Sequence, residues 1–208
     1  LENGYGEHNI QGIGDKHIPL IHNIANTDIV VGISDKATDE LDLTFNTEAG
    51  RAYLAQSQGI SQSLVDTLEH FGFSAIANVL AAIKTAKLLN LGENQALITV
   101  ATDGAALYPS ERAKLLERQY GNEFTTTDAA AAVGEHLGAA STDHMIDCTD
   151  LDRRRLFNLG YYTWVEQQGT PFDLFEARRS QDFWRELRRY TGIWDGMIDD
   201  FNAQVAAG

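Results

Sequence analysis

The sequence predicts an α/β protein with a parallel-sheet layer followed by an all-helical extension. Two short apolar runs, Ile29–Ile33 and Ala96–Ala101, are continuous rather than alternating, as is typical of strands buried on both faces of a parallel sheet. Helical patterns separate the runs, and strand, helices, strand is the order of a crossover connection. After Tyr108 the pattern predicts helices alone. We therefore predict two domains, residues 1–110 and residues 111–208.

Four helical patterns fill the stretch between the predicted strands, at about residues 35–45, 47–57, 61–70 and 75–90. In the last one, Ser74 stands where an N-cap belongs and Gly92 where a C-cap belongs. It is also the clearest pattern, because its apolar residues recur at helical spacing: Ile76, Val79, Leu80 and Ile83.

The second half contains several helix starts. Ser110 is predicted to cap a helix through Tyr120, and an Ala-rich helix is predicted to start after Thr127. Further starts are a capping box and a proline at a first helical position, at Thr149 with Asp152 and at Thr170-Pro171. Large aromatic side chains favour a core: Phe157, Tyr161, Trp164, Phe172, Phe175, Phe183, Trp184 and Trp194.

Composition excludes several classes of partner. The 208 residues include 30 acidic and 16 basic ones, a formal charge of −14, which argues against the clustered cations that nucleic acid needs. No apolar run approaches the length of a membrane span, and no signal peptide opens the chain. A single cysteine, Cys148, fits a reducing compartment. The 43% of residues that are hydrophobic are enough for a substantial core. We expect a soluble cytoplasmic protein.

Three segments could bind a flat ligand. Gly12 and Gly14 let the backbone approach a planar group or turn tightly. Ser74 keeps its hydroxyl hydrogen for a ligand even if its oxygen caps a helix. Asp103 and Gly104 follow the second apolar run, at the strand end where open parallel sheets bind ligands. Ordinary turns use the same residues, so the order of the segments matters most.

In this order the segments resemble the second half of the cysteine synthase (O-acetylserine sulfhydrylase) family. That family belongs to the fold-type II pyridoxal-phosphate enzymes, with the tryptophan synthase beta-like proteins. The resemblance covers roughly residues 8–110, about half of the chain. It rests on four stretches, His8–Gly14 with Ile18-Pro19, Ile29–Asp35, Gly72–Ser74, and Asp103-Gly104 with Tyr108–Ser110.

The resemblance implies a pyridoxal 5'-phosphate site, with a glycine loop beside the ring and Ser74 bonded to the pyridine nitrogen. A neutral hydroxyl does not force that nitrogen to be protonated, so the cofactor is a gentler electron sink that suits β-elimination. The implied activity is a lyase or transferase of cysteine biosynthesis type, acting on an amino acid by β-elimination or β-replacement through an aminoacrylate. The implied cofactor-binding residues are Gly12, Ile13, Gly14, Ser74, Asp103 and Gly104.

The sequence also departs from the family. Ile76 stands where the family has glycine, and Thr102 where it has proline. The family's Schiff-base lysine, substrate loop and phosphate cradle all precede the stretch that matches His8–Gly14. We therefore expect this chain to be the C-terminal part of an enzyme, with no catalytic lysine of its own. Its expected partners are an N-terminal part, covalent or separate, and further copies in a homo-oligomer.

Alternatives remain at this stage. Lys16 could form the Schiff base itself, although the family has small residues there. A dehydratase or desulfhydrase of the same fold would release a 2-oxo acid, and a non-catalytic binding or regulatory module would have lost the lysine. The six histidines show no metal-ligand spacing, so no metal is predicted. Asp152–Arg155 is interpreted as a solvated helix face.

Overall fold

A computed structural model describes residues 8–10 and 17–207, which divide into two compact units. The first unit comprises residues 8–10 and 29–146, and the second comprises residues 17–28 and 147–207. Helices make up 66% of the structure. The division into a cofactor-binding part at 1–110 and an extension at 111–208 is a functional one and stays a prediction.

The predicted parallel-sheet layer is wrong. In the described residues the sheet has two antiparallel strands, β1 (Ile29–Val31) and β2 (Met145–Asp147). The N–H of Gly32 donates to the carbonyl of His144 at 2.8 Å, just beyond the paired strands. The first apolar run therefore contains a strand, but its partner comes from the half of the sequence predicted to be helical. Three residues are too short to give a strand pattern in the sequence.

The second apolar run, Ala96–Ala101, forms no strand. Ile98 is 92% exposed and Val100 is 65% exposed. The side-chain amide of Asn78 donates to the carbonyl of Val100 at 2.9 Å. A strand is stable only beside another strand that pairs with its backbone, and no described segment pairs with this run. Apolar content suggested the strand, whereas the missing pairing decides against it.

The core of the first unit surrounds one central helix. Leu41 and Leu43 on this helix are 1% and 0% exposed. Leu41 packs with Ile76 and Leu80, while Leu43 packs with an apolar group that includes Phe124. This central helix is α1 (Asp35–Asn46). The α-helices that follow it in the described first unit are α2 (Glu48–Ala52), α3 (Gln62–Thr67), α4 (Phe73–Leu88), α5 (Pro109–Tyr120) and α6 (Thr126–Val133).

Local capping chemistry accounts for several helix starts. Ser34 caps α1 by accepting from the N–H of Ala37 at 3.2 Å. At α6, Thr125 and Asp128 form a reciprocal capping box, so the helix begins just before the predicted start. The C-cap predicted at Gly92 is wrong, because α4 already ends at Leu88.

The second unit is built on helices α7 (Asp150–Tyr161), α8 (Phe172–Ala177) and α9 (Gln181–Ala207). The capping box of Thr149 and Asp152 is confirmed at the start of α7. Among the predicted core aromatics, Phe157 and Phe175 are buried, whereas Phe172 and Trp194 are more than half exposed. From Arg185 to Ala207, the residues of α9 are exposed in the described chain, whereas Phe183 and Trp184 near its start are partly buried.

The helices were also compared with the thickness of a membrane. Among the described residues, no single helix combines the length and the apolar character of a membrane span. Taken together, Gln62–His70 and Phe73–Leu88 have the length and composition of a membrane span, but the two segments are bent by 113° at their junction.

Candidate functional site

Two of the predicted site segments, Ser74 and Asp103-Gly104, lie at the start of α4. This helix begins at Phe73, its N-cap is Gly72, and Ser74 is the second helical residue. The prediction of Ser74 as the N-cap is therefore wrong by two positions. Its side chain lies within the first turn, where backbone N–H groups lack intrahelical partners and the helix dipole has its positive end. Ser74 is 4% exposed.

Glycine at position 72 allows a second segment to lie against this helix start. The N–H of Gly72 donates to the carbonyl of Asp103 at 2.7 Å. A Cβ atom on Gly72 would lie 2.6 Å from that carbonyl oxygen and 2.8 Å from a ring carbon of Tyr108. A larger residue would thus push Asp103 away from the helix. The structure thus places the segment of Asp103 and Gly104 against Gly72, two residues before Ser74.

Tyr108 orients the side chain of Asp103. Its hydroxyl donates to Oδ2 of Asp103 at 3.1 Å, and its ring lies 4.9 Å from that of Phe73, between centroids. Burial of the hydroxyl, together with the hydrogen bond and charge of Asp103, raises the pKa of Tyr108. The sequence pattern assigns no role to Tyr108, because its contact with Asp103 depends on the turn between the two residues.

The chain that leads to the predicted glycine loop is anchored at the same place. Ile10 is buried and packs with Phe73 and Ala77 of α4. The side-chain amide of Asn9 donates to Oδ1 of Asp39 at 2.6 Å, and its backbone N–H donates to Oδ2 of Asp35 at 2.8 Å. The predicted cofactor residues Gly12, Ile13 and Gly14, and the alternative lysine Lys16, lie outside the described residues.

A second polar cluster involves α1 and the segment after α6. The described residues contain one group able to hold a metal ion, namely Glu40, Glu135 and His136, whose ligand atoms lie within 4.8 Å of one another. Nε2 of His136 lies 2.7 Å from Glu40, and the ammonium of Lys36 donates to both oxygens of Glu135 at 2.6 and 2.7 Å. A metal ion would have to displace this ammonium. The arrangement is thus an ion-pair network that joins α1 to the segment after α6.

Tyr120 is hydrogen-bonded to Glu40 of this cluster. Burial of the phenol, the charge of Glu40 and this hydrogen bond raise the pKa of Tyr120 to about 12. The phenol therefore stays protonated at neutral pH and can donate to that carboxylate. The cluster is a donor-and-acceptor network within the protein, which explains why the Glu40 carboxylate tolerates partial burial.

The described lysines are engaged away from the start of α4. Lys84 donates to the carbonyl of Asp143 at 2.7 Å, and Lys87 donates to that of Ala140 at 2.6 Å. Lys36 and Lys114 each pair with a glutamate. Within the described part of the chain, the site thus has a hydroxyl and a carboxylate but no amine.

Comparison with known proteins identifies no relative. No family model matches the chain, no curated protein matches it, and no solved structure matches it.

Proposed function

We propose that the start of α4 holds the pyridine ring of pyridoxal 5'-phosphate in a cysteine synthase-like enzyme. The enzyme would be a lyase or transferase that acts on an amino acid by β-elimination or β-replacement. One observation carries the proposal: Ser74, the Asp103-Gly104 segment and the chain leading to Gly12 converge on the first turn of α4. The proposal does not require a parallel sheet.

The residues at this position fit the ring edge of the cofactor. Ser74 supplies a neutral hydroxyl, and the helix behind it is 16 residues long, so the positive end of its dipole faces the site. Both features disfavour a proton on the ring nitrogen. When bound, the cofactor supplies an electron sink for chemistry at the α-carbon, and a weaker sink favours loss of a β-substituent.

The remaining residues position the site. Gly72 holds Asp103 against the helix by close backbone contact, and Tyr108 fixes the Asp103 carboxylate. Burial of Ser74 keeps water from competing for its hydroxyl. The role of these groups is to bind and orient the ring.

Groups that the described chain does not place here belong, in this proposal, to an N-terminal part of the enzyme. These groups are the covalent lysine, the phosphate cradle and the loop for the substrate carboxylate. The exposed apolar side chains of Ile98 and Val100 give that part a surface to cover. We place the assembly, a homo-oligomer, in the cytoplasm because a single cysteine in the chain is typical of proteins from a reducing compartment.

One observation favours a second candidate, a non-catalytic binding module of this chain alone. The four described lysines are all engaged elsewhere. Borohydride reduction of the chain with pyridoxal 5'-phosphate, followed by peptide mass mapping, separates both candidates from a chain that carries its own cofactor lysine. We expect no stoichiometric label on the isolated chain. Stoichiometric labelling of Lys16 would show that the chain carries its own cofactor lysine and would overturn our assignment.

Titration of the chain with pyridoxal 5'-phosphate tests the site itself. Ser74→Ala should weaken reversible binding about fivefold, since one hydrogen bond contributes roughly 1 kcal/mol. Ser110→Ala is the matched control, because Ser110 is the second residue of α5, likewise preceded by one helical residue, but it is exposed. Affinity unchanged by Ser74→Ala, with only the melting temperature lowered, would leave Ser74 a purely structural residue.

A further inference from the structure

The second unit contains a pocket lined by four arginines. Its volume is about 410 Å³. This is a concentration of positive charge in a chain whose formal charge is −14. Helix α7 contributes Arg153 and Arg154, and the end of α8 contributes Arg178 and Arg179.

Two of the four arginines are neutralised by neighbouring carboxylates. Arg153 lies 3.0 Å from Asp28 and 3.3 Å from Asp150. Arg179 lies 2.7 Å from Glu176. These two side chains contribute shape and hydrogen-bond donors to the pocket but little net charge.

Arg178 is different, because it is buried and no acidic side chain among the described residues pairs with it. The residue is 5% exposed, and its Nε atom is buried with no hydrogen-bond partner. Its hydrogen bond to the carbonyl of His22 is long, at 3.4 Å. Burial lowers the pKa of Arg178. A buried guanidinium normally has its donors satisfied by a carboxylate or by several carbonyl groups.

Aromatic rings hold this guanidinium in place. Its central carbon lies 5.2 Å from the ring centroid of Phe175, 5.3 Å from that of Phe157 and 5.9 Å from that of Trp184. Cation–π attraction makes the buried charge tolerable, but it uses the faces of the guanidinium and leaves the Nε–H donor at its edge unused. The side chain is therefore preorganised to donate in its plane.

Arg154 supplies a second uncompensated charge. It is exposed, and in the described residues it makes no hydrogen bond or ion pair. It lines the same pocket as Arg178. After the pairs of Arg153 and Arg179 are set aside, two guanidinium groups without a carboxylate partner among the described residues remain, Arg178 and Arg154, although Asp150, which pairs with Arg153, also lines the pocket.

We infer that this pocket binds the phosphoryl group of a small organic phosphate. A phosphate monoester is close to a dianion at neutral pH, which matches the two uncompensated guanidinium groups, and guanidinium donors suit phosphate oxygens. A carboxylate would neutralise only one of the two. The pocket also includes Ile24 and Phe157, so the organic part of the ligand meets apolar surface.

The probes are inorganic phosphate and phenyl phosphate, titrated at constant ionic strength into the full chain, with acetate as the monoanion comparison. We expect saturable binding of phosphate, tighter binding of phenyl phosphate, and acetate weaker than phosphate by at least tenfold. Arg178→Met, which keeps the apolar stem, should weaken phosphate at least tenfold. Arg189→Met is the matched control, because Arg189 is exposed on α9, outside the pocket, and pairs with Glu186.

A direct readout protects the test against a variant that fails to fold. In the wild-type chain, the side-chain Nε–H NMR signal of Arg178 should move with phosphate and saturate along the binding curve. Arg154→Met, at an exposed position, should weaken phosphate without affecting the fold. No saturable binding, equal affinity for acetate and phosphate, or an unmoved Arg178 signal would each overturn the inference and leave Arg178 a structural cation only.

Discussion

The two units stabilise an enclosed arginine side chain in different ways. In the first unit, Arg112 donates to both oxygens of Asp42, at 2.8 and 3.0 Å, and Asp42 itself has no exposed side-chain surface. In the second unit, Arg178 is more enclosed than Arg112, and among the described residues it packs against aromatic rings in place of a carboxylate. A paired buried charge is part of the protein's own framework, whereas an unpaired one leaves donors for a ligand.

Helix α1 shows why the paired charge is structural. Asp42 lies between Leu41 and Leu43, two of the most buried side chains in the first unit. Burial raises the pKa of Asp42, and the hydrogen bonds and charge of Arg112 oppose that rise. Arg112 also donates to the carbonyl of Ala105 at 3.3 Å. The pair thus joins α1 to α5 and to the turn that follows the candidate site.

The largest expected effect comes from breaking this pair. Arg112→Met leaves the Asp42 carboxylate buried without its cation and should lower the free energy of unfolding by about 3–5 kcal/mol. Arg178→Met breaks no ion pair, so urea unfolding should show a much smaller change. The double variant Asp42→Leu with Arg112→Met should recover part of the loss, since no charge is then buried alone. Equal losses for Arg112→Met and Arg178→Met would contradict the comparison.

A smaller effect is expected at Asp39, which lies between the two cases. Its hydrogen-bond partner is the neutral amide of Asn9, and the charges that act on it are those of Asp35, Asp42 and Arg118. Burial raises the pKa of Asp39 above its ordinary value of 3.8, and the bond from Asn9 opposes this. The folded protein therefore holds this proton more tightly than the unfolded chain does.

The sign of the pH dependence follows. The stability contributed by Asp39 is fully present below pH 3.8 and is lost as the pH rises through its higher folded pKa. The difference in unfolding free energy between wild type and Asp39→Asn should fall over that interval. Urea unfolding at a series of pH values measures this difference, and an increase with pH would mean that Asp39 is stabilised as a carboxylate.

The smallest effect is expected at the exposed apolar run. Ile98→Ser should change the free energy of unfolding of the isolated chain by no more than about 0.5 kcal/mol, because the side chain is 92% exposed. Ile76→Ala, in the core formed with Leu41, should cost about 2–5 kcal/mol. A large loss from Ile98→Ser would show that Ala96–Ala101 is covered within the chain itself.

Sequence reasoning succeeded where the deciding interactions are local. The capping box of Thr149 and Asp152 spans one helical turn, and both reciprocal bonds form.

Two helix starts were predicted wrongly. Ser74 and Ser110 were both placed at the N-cap, yet each is the second helical residue. Gly72 takes that role at α4, and Pro109, with its fixed φ, occupies the first position of α5.

Interactions between distant segments were harder to predict. The run Ala96–Ala101 has the composition of a strand but no pairing segment among the described residues, and β1 pairs with a strand from beyond residue 140. The proximity of Ser74 and Asp103 was predicted from motif order rather than from physical pattern. Arg178 gave no signal, because its burial and its lack of a carboxylate arise only when α7 and α8 pack together.

One NMR titration of the full chain with pyridoxal 5'-phosphate tests the central claim, that the start of α4 binds the cofactor ring. Excess inorganic phosphate is present to occupy the arginine pocket. The amide signals of Ser74, Asp103 and Gly104 should move together and saturate, while the Arg178 side-chain signal stays where phosphate alone has placed it. Shifts confined to Arg178 and its neighbours, or unmoved signals at Ser74 and Asp103, would contradict it.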